Sequence, residues 1–269
     1  RNFVASDGSV LQIKGISLGN WLMPEGYMFK FEVSKSPRQI YGAFDRLLGS
    51  EKAAAFWREY RDRYIAQDDI RFIKSVGFNT VRIPLHWRLF MDRDGTIGGD
   101  GWALLDRVLG WVREAGLYAI VDLHAAPGGQ TGINHDDGPG YPLMFYVPTH
   151  REMTVRLWAA IARRYAGNPA ILGYDLLNEP IAPYHDVATL NPRLEPFYDR
   201  AEQMGVPLFM HPTDGIYEDL LDGYNGAMYL SLGRVVDVSV AAYRLVLSGM
   251  MERHPDLKIF LSHTGGALP

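Results

Sequence analysis

Apolar and polar positions alternate in blocks along the chain, with short extended runs between longer stretches of helical periodicity. Residues 3–13 read as a small hairpin around Asp7-Gly8, a strong turn signal. Ile13–Leu18 reads as a first strand, ending at Gly19-Asn20-Trp21. Residues 24–49 are mixed and aromatic, the pattern of a long loop over strand ends. Helical periodicity covers 50–75, with Ser50 as cap and Phe56, Trp57, Tyr60, Tyr64, Ile70 and Ile73 as inner positions. Strands are expected at Phe78–Pro84, Leu117–His124, within 170–181, at Val206–His211 and at Leu257–His263. Helices are expected at Gly101–Ala115, from a capping box at Thr149–Glu152 to Tyr165, from Asn191-Pro192 to Met204, near 216–224 and near 237–254. Residues 125–148 read as a Gly/Pro/Asp-rich loop.

Strands that alternate with helices predict a parallel sheet with helical crossovers. The fold class expected is α/β, a (β/α)8 TIM-barrel type, taken as one domain over 1–269. Six core strands are visible, and a closed barrel needs eight. Completion requires a second copy in a homo-oligomer, further residues or another topology. The chain starts at Arg1, not Met, so it is expected to be trimmed.

One stretch stands out. In Ala-Ile-Leu-Gly-Tyr-Asp-Leu-Leu-Asn-Glu-Pro-Ile, 170–181, an apolar run climbs to Asn178 and Glu179, and Pro180 stops it. Proline cannot continue a central ladder, and the carboxyl ends of barrel strands carry chemistry. Glu179 is therefore expected to be a general acid/base and Asn178 to hold a substrate hydroxyl. The competing reading is a strand-end Glu in water beside a turn. Arg82 lies inside Val-Arg-Ile-Pro, where a charge is costly unless paired. A carboxylate at the barrel mouth is its expected partner. Asp122 and His124 flank Leu123 and can share a face.

Composition narrows the classes. With 47% apolar residues the 269-residue chain can bury a sizeable core, and its formal net charge is −4. No basic stripe suggests nucleic acid, and no run is long and apolar enough for a membrane span. Cysteine is absent, which removes disulfide and thiolate chemistry and leaves secreted and cytoplasmic locations equally open.

Residues 10–182 resemble glycoside hydrolase family five, the cellulase type, through Lys14–Trp21, Gly77–Pro84, Val121–His124 and Leu176–Pro180. The resemblance implies cleavage of a β-glucan or related β-glycoside with retention, a carbohydrate substrate and no cofactor. It implies that Glu179 is the acid/base, that Asn178 binds the sugar 2-hydroxyl and that Arg82 and His124 brace the catalytic carboxylates. It suggests Trp21 for the sugar-facing rim. The family's nucleophile, a Glu ending the seventh strand, has no match here. Residues 190–269 resemble amidohydrolase-related decarboxylases of the aminocarboxymuconate-semialdehyde type. The matching pieces are Pro192–Tyr198, Gly205–Pro212 and Glu252–Gly266. That resemblance implies a divalent metal, often zinc, at His211 and His263, with His124 as a conceivable third ligand. The alternatives to a glycosidase are thus a metal-dependent amidohydrolase or decarboxylase, and an inactive hybrid of two barrels.

Overall fold

The computed structural model describes residues 4, 8–133, 135–180, 187–211, 220, 221, 223 and 228–265. The chain divides into two compact units, Arg1–Pro180 and Ile181–Pro269.

The first unit is built on four parallel strands in the order β1-β2-β3-β4. They are β1 (Gly15–Ser17), β2 (Thr80–His86), β3 (Tyr118–Ala125) and β4 (Ile171–Asp175). Around them run helices α1 (Pro37–Leu48), α2 (Ser50–Tyr64), α3 (Gln67–Ser75), α4 (Gly101–Glu114), α5 (Leu143–Tyr146) and α6 (Pro148–Arg164). Parity along the strands separates two faces. Val81, Ile83, Leu85, Ala119, Val121 and Leu123 are fully buried. On the opposite parity lie Arg82, Asp122 and Asp175, with Arg82 paired to Ile120 and Asp122 to Asp175 in the register. The same alternation that builds a dry core thus puts ionisable groups side by side.

The second unit pairs two parallel strands, β5 (Pro207–Met210) and β6 (Lys258–Leu261). Its helices are α7 (Val187–Met204), α8 (Arg234–Leu247) and α9 (Met250–Arg253). Ala201, Met250 and Leu257 form its buried centre, with Leu208 and Ile259 packed against it. The six expected strands are all present. Among the described residues no helix is long and apolar enough to cross a membrane.

Several element boundaries differ from the sequence reading. The expected 24–49 loop contains α1, started by a capping box in which Gln39 N–H donates to Ser36 Oγ and Ser36 N–H donates to Gln39 Oε1. The single helix over 50–75 is two helices. Ile65 is extended, and Ala66 N–H donates to the Asp69 carboxylate to open α3. Trp57, Ile70 and Ile73 are inner as expected, whereas Phe56 and Tyr64 are about 40% exposed. The capping box at Thr149 does not form, because Pro148 already starts α6 after Val147. The 125–148 loop contains the turn α5. Strand β4 stops at Asp175, short of Glu179. Helix α7 begins before Asn191, so that residue does not cap it. Gly249, at φ +72°, divides the 237–254 helix into α8 and α9. Of the helix expected near 216–224 only residues 220, 221 and 223 are described, and residues 3 and 5–7 of the 3–13 hairpin lie outside the described residues, although Val4 and Val10 form an antiparallel bridge.

Trp57 anchors an aromatic cluster. Its ring lies 4.7 Å from Tyr41, 4.9 Å from Phe44 and 5.3 Å from Tyr60, centroid to centroid. Replacing Trp57 by Ala removes this hub, with an expected cost of about 3–5 kcal/mol. A urea titration followed by circular dichroism checks it as a lower unfolding midpoint.

Candidate active site

Arg82 is the centre of the polar face. Its Nη2 donates to Asp175 Oδ2 at 2.8 Å and to Asn178 Oδ1 at 2.7 Å, and its Nε donates to Asp175 Oδ2 at 3.2 Å. Asp122 Oδ2 lies 3.0 Å from the same Nη2. Arg82 thus meets the carboxylate partner its burial demands, and in fact two. Burial alone would lower its pKa, but the charges of Asp122, Asp175 and Glu179 raise it.

His124 extends the network. Its Nδ1 lies 2.7 Å from Asp122 Oδ2 and its Nε2 lies 3.1 Å from Glu25 Oε1. Burial pushes the imidazole down, yet hydrogen bonds to Asp122 and Glu25 and their charges overcome it and lift its pKa to about 9. At neutral pH the ring is therefore a cation that donates from both nitrogens. Asn178 Nδ2, 3.4 Å from His124 Nε2, is then a neighbour rather than a donor to it. Burial lifts the Asp122 carboxyl, while the His124 hydrogen bond and the His124 and Arg82 charges pull it back.

Asn178 is held from several sides. Its N–H donates to Leu123 O at 3.1 Å, and its side-chain Oδ1 is taken by Arg82. Glu179 follows with φ +41°, a left-handed conformation that costs a non-Gly residue on the order of 1–3 kcal/mol. Its Oε2 lies 3.9 Å from His135 Nε2. Tyr27 stands near the same carboxylate. Its hydroxyl pKa is pushed up to about 12 by burial, by the charge of and hydrogen bond to Glu25, and by the charge of Glu179.

A rim loop closes one side. Asp137 Oδ2 lies 3.0 Å from His86 Nε2, and Asp137 Oδ1 accepts from Arg38 N–H at the start of α1. His86 Nδ1 accepts from Arg88 N–H, which places the imidazole proton on Nε2 facing Asp137.

The structure therefore brings Arg82, His124, Asn178 and Glu179 together. Two expectations change. Arg82 and His124 brace Asp175, Asp122, Glu25 and Asn178 directly, and Arg82 acts on Glu179 through its charge. Trp21 is not at a sugar-facing rim. It is 1% exposed, and its indole N–H donates to Arg61 O at 2.7 Å. Sequence reasoning did not single out Glu25, Tyr27, His135 or Asp175. Asp175 alone carried a signal, as a charge inside a strand on the parity of Asp122.

Comparison with known proteins fits this arrangement. The model for cellulase (glycosyl hydrolase family 5) matches residues 44–209, more than half of the chain. The chain belongs to glycosyl hydrolase family 5. Similar proteins include a beta-xylosidase of Phanerodontia chrysosporium, 32% identical over 73% of this chain and 40% of its own length. A glucan 1,3-beta-glucosidase of Pichia angusta is 29% identical over 78% of this chain and 51% of its own. The chain thus spans about half the length of these relatives or less. Among solved structures, rutinosidase from Aspergillus niger superposes with a TM-score of 0.56 at 18% identity, over 74% of this chain and 62% of that one. AoRut gives 0.54 at 18%, over 96% and 63%. The fold is of the (β/α)8 barrel class of this family. A second family model, Amidohydrolase, matches residues 159–269 and overlaps the first.

In the second unit His211 and His263 lie with ring centroids 5.2 Å apart, tilted by 46°. Burial and the nearby charges of His211 and Arg234 lower the pKa of His263, which keeps its ring neutral. Among the described residues no group of three or more His, Cys, Asp or Glu side chains could hold a metal. His124 has both nitrogens engaged within its own unit, by Asp122 and Glu25. Among the described residues the two imidazoles fall short of the three protein ligands of a catalytic zinc.

The raised His124 has a consequence for stability. Its folded pKa of about 9 exceeds the ordinary 6.5, so its contribution is complete below pH 6.5 and is lost as pH rises through 9. Unfolding midpoints measured across that window should fall with pH in the native chain. In His124→Asn this component of the fall should vanish.

Proposed function

We propose that the chain carries the acid/base half of a retaining β-glycosidase site, acting on the O-glycosidic bond of a β-glucan or related β-glycoside. The observation that carries this is the convergence of Arg82, His124 and Asn178 beside Glu179, in a chain of family 5. Glu179 gives its proton to the departing glycosidic oxygen and later takes one from water. Arg82 occupies Asn178 Oδ1, which leaves Nδ2 to donate to the sugar 2-hydroxyl. Asp122, Asp175 and Glu25 are tied to Arg82 or His124 and serve to fix them. Retention also requires a nucleophilic carboxylate roughly 5–5.5 Å from the acid/base. The beta-xylosidase and glucan 1,3-beta-glucosidase relatives support the β-glycoside class. We read residues 1–182 and 190–269 as pieces of two barrel families, supported by the two overlapping family matches.

The test is release of nitrophenol from aryl β-glucosides and β-xylosides. Glu179→Gln should lower kcat by about 100- to 10,000-fold with the fold intact by circular dichroism. Undiminished turnover in Glu179→Gln removes Glu179 from the mechanism. Arg82→Lys should also lose activity, because one ammonium cannot bind Asp175 and Asn178 as the guanidinium does. Its kcat, set beside that of Glu179→Gln, measures how far orientation alone matters.

A further inference from the structure

We infer that Gln130 is a positioning residue for Asn178 and Glu179, its side-chain amide holding the Asn178 backbone so that Glu179 keeps its left-handed conformation. The inference rests on the glycosidase reading for its kinetic readout alone.

The β3–β4 ladder ends at the Asp122–Asp175 pair. Beyond it the strand ends would separate, because Asn178 N–H to Leu123 O is the remaining main-chain bond between them. Gln130 supplies the missing rungs. One hydrogen of Nε2 goes to His124 O at 2.8 Å and the other to Asn178 O at 2.9 Å. Its Oε1 accepts from Ala126 N–H at 3.0 Å. Both donors are spent, and the residue is 0% exposed.

Asn178 is thereby gripped at its N–H, its carbonyl and its side chain. The peptide group that leads into Glu179 is fixed, and φ of residue 179 is measured from that fixed plane. The clamp is itself anchored. Gln130 N–H donates to Asp136 Oδ2 at 2.7 Å, and Asp136 also accepts from the N–H groups of Thr131 and Gly138. Gly129, at φ +74°, leaves a built Cβ 2.6 Å from Gly138 Cα, so the loop closes only with glycine there. A buried primary amide that bridges two strand-end carbonyls, mounted on an internally tied loop, does little for a distant core. It acts on the entry to Glu179, a non-glycine residue held at φ +41°.

Two variants of the full chain test this. Gln130→Met keeps length and apolar volume and loses both donors. Gln130→Glu keeps the shape, and its carboxyl regains one donor when protonated. With an aryl β-glycoside, Gln130→Met should lose about 100-fold in kcat, with KM changed by less than about twofold. Gln130→Glu should recover part of that loss as pH falls, relative to native chain, whereas Gln130→Met should not. Unchanged kcat in Gln130→Met overturns the inference.

Amide hydrogen exchange gives a readout independent of turnover. In Gln130→Met the peptide containing Asn178 should exchange faster while the β2 peptide, 80–86, stays protected. Equal exchange at Asn178, or loss of protection in both peptides alike, overturns the inference. A native chain with no turnover defeats the glycosidase reading, and exchange alone then decides the role of Gln130.

Discussion

A completely buried carboxylate, Asp122, sets the terms for the first unit. Burying a charge is tolerable only with close partners of opposite sign. Asp122 has two, and one of its oxygens meets both Arg82 and His124. Each of those cations then needs further anions, which come from Asp175 on β4 and Glu25 before α1. Three strands and the segment after β1 are thus locked by charge as well as by backbone ladders. The lock is also what delivers Asn178, because its amide oxygen completes the coordination of Arg82.

Much of this was legible in the chain. The alternation of strand and helix placed six strands close to where they lie, since runs such as Val81–Leu85 and Ala119–Leu123 have no other way to bury their side chains. Arg82, His124, Asn178 and Glu179 could be picked out because polar groups at the ends of apolar runs are costly unless used. Helix ends were less legible. Ser36-Pro37 with Gln39 was a readable start for α1, hidden by an aromatic-rich neighbourhood that looked like loop. The break at Ile65-Ala66 was invisible because hydrophobic periodicity continues on both sides of it.

Trp21 shows why a ring near a strand end is ambiguous. Nothing local in Gly19-Asn20-Trp21 says whether the indole faces sugar or core. The answer came from Arg61, 40 residues away, whose carbonyl takes the indole N–H. Glu25 and Gln130 are of the same kind. Their roles depend on partners distant in sequence, His124 for one and Asn178 for the other, and no period or motif announces such pairs.

The groups that neutralise and orient one another around Arg82 all fall between Glu25 and Glu179, inside the first compact unit. Electrostatic self-sufficiency of that kind has an evolutionary reading. Among the described residues, a breakpoint just after residue 180 parts none of the ion pairs that Arg82 and His124 make with Asp122, Asp175 and Glu25, so a different carboxyl-terminal portion could follow without stranding the buried charge of Asp122. Crossovers upstream, between Asp122 and Asp175 for instance, would separate partners and be purged.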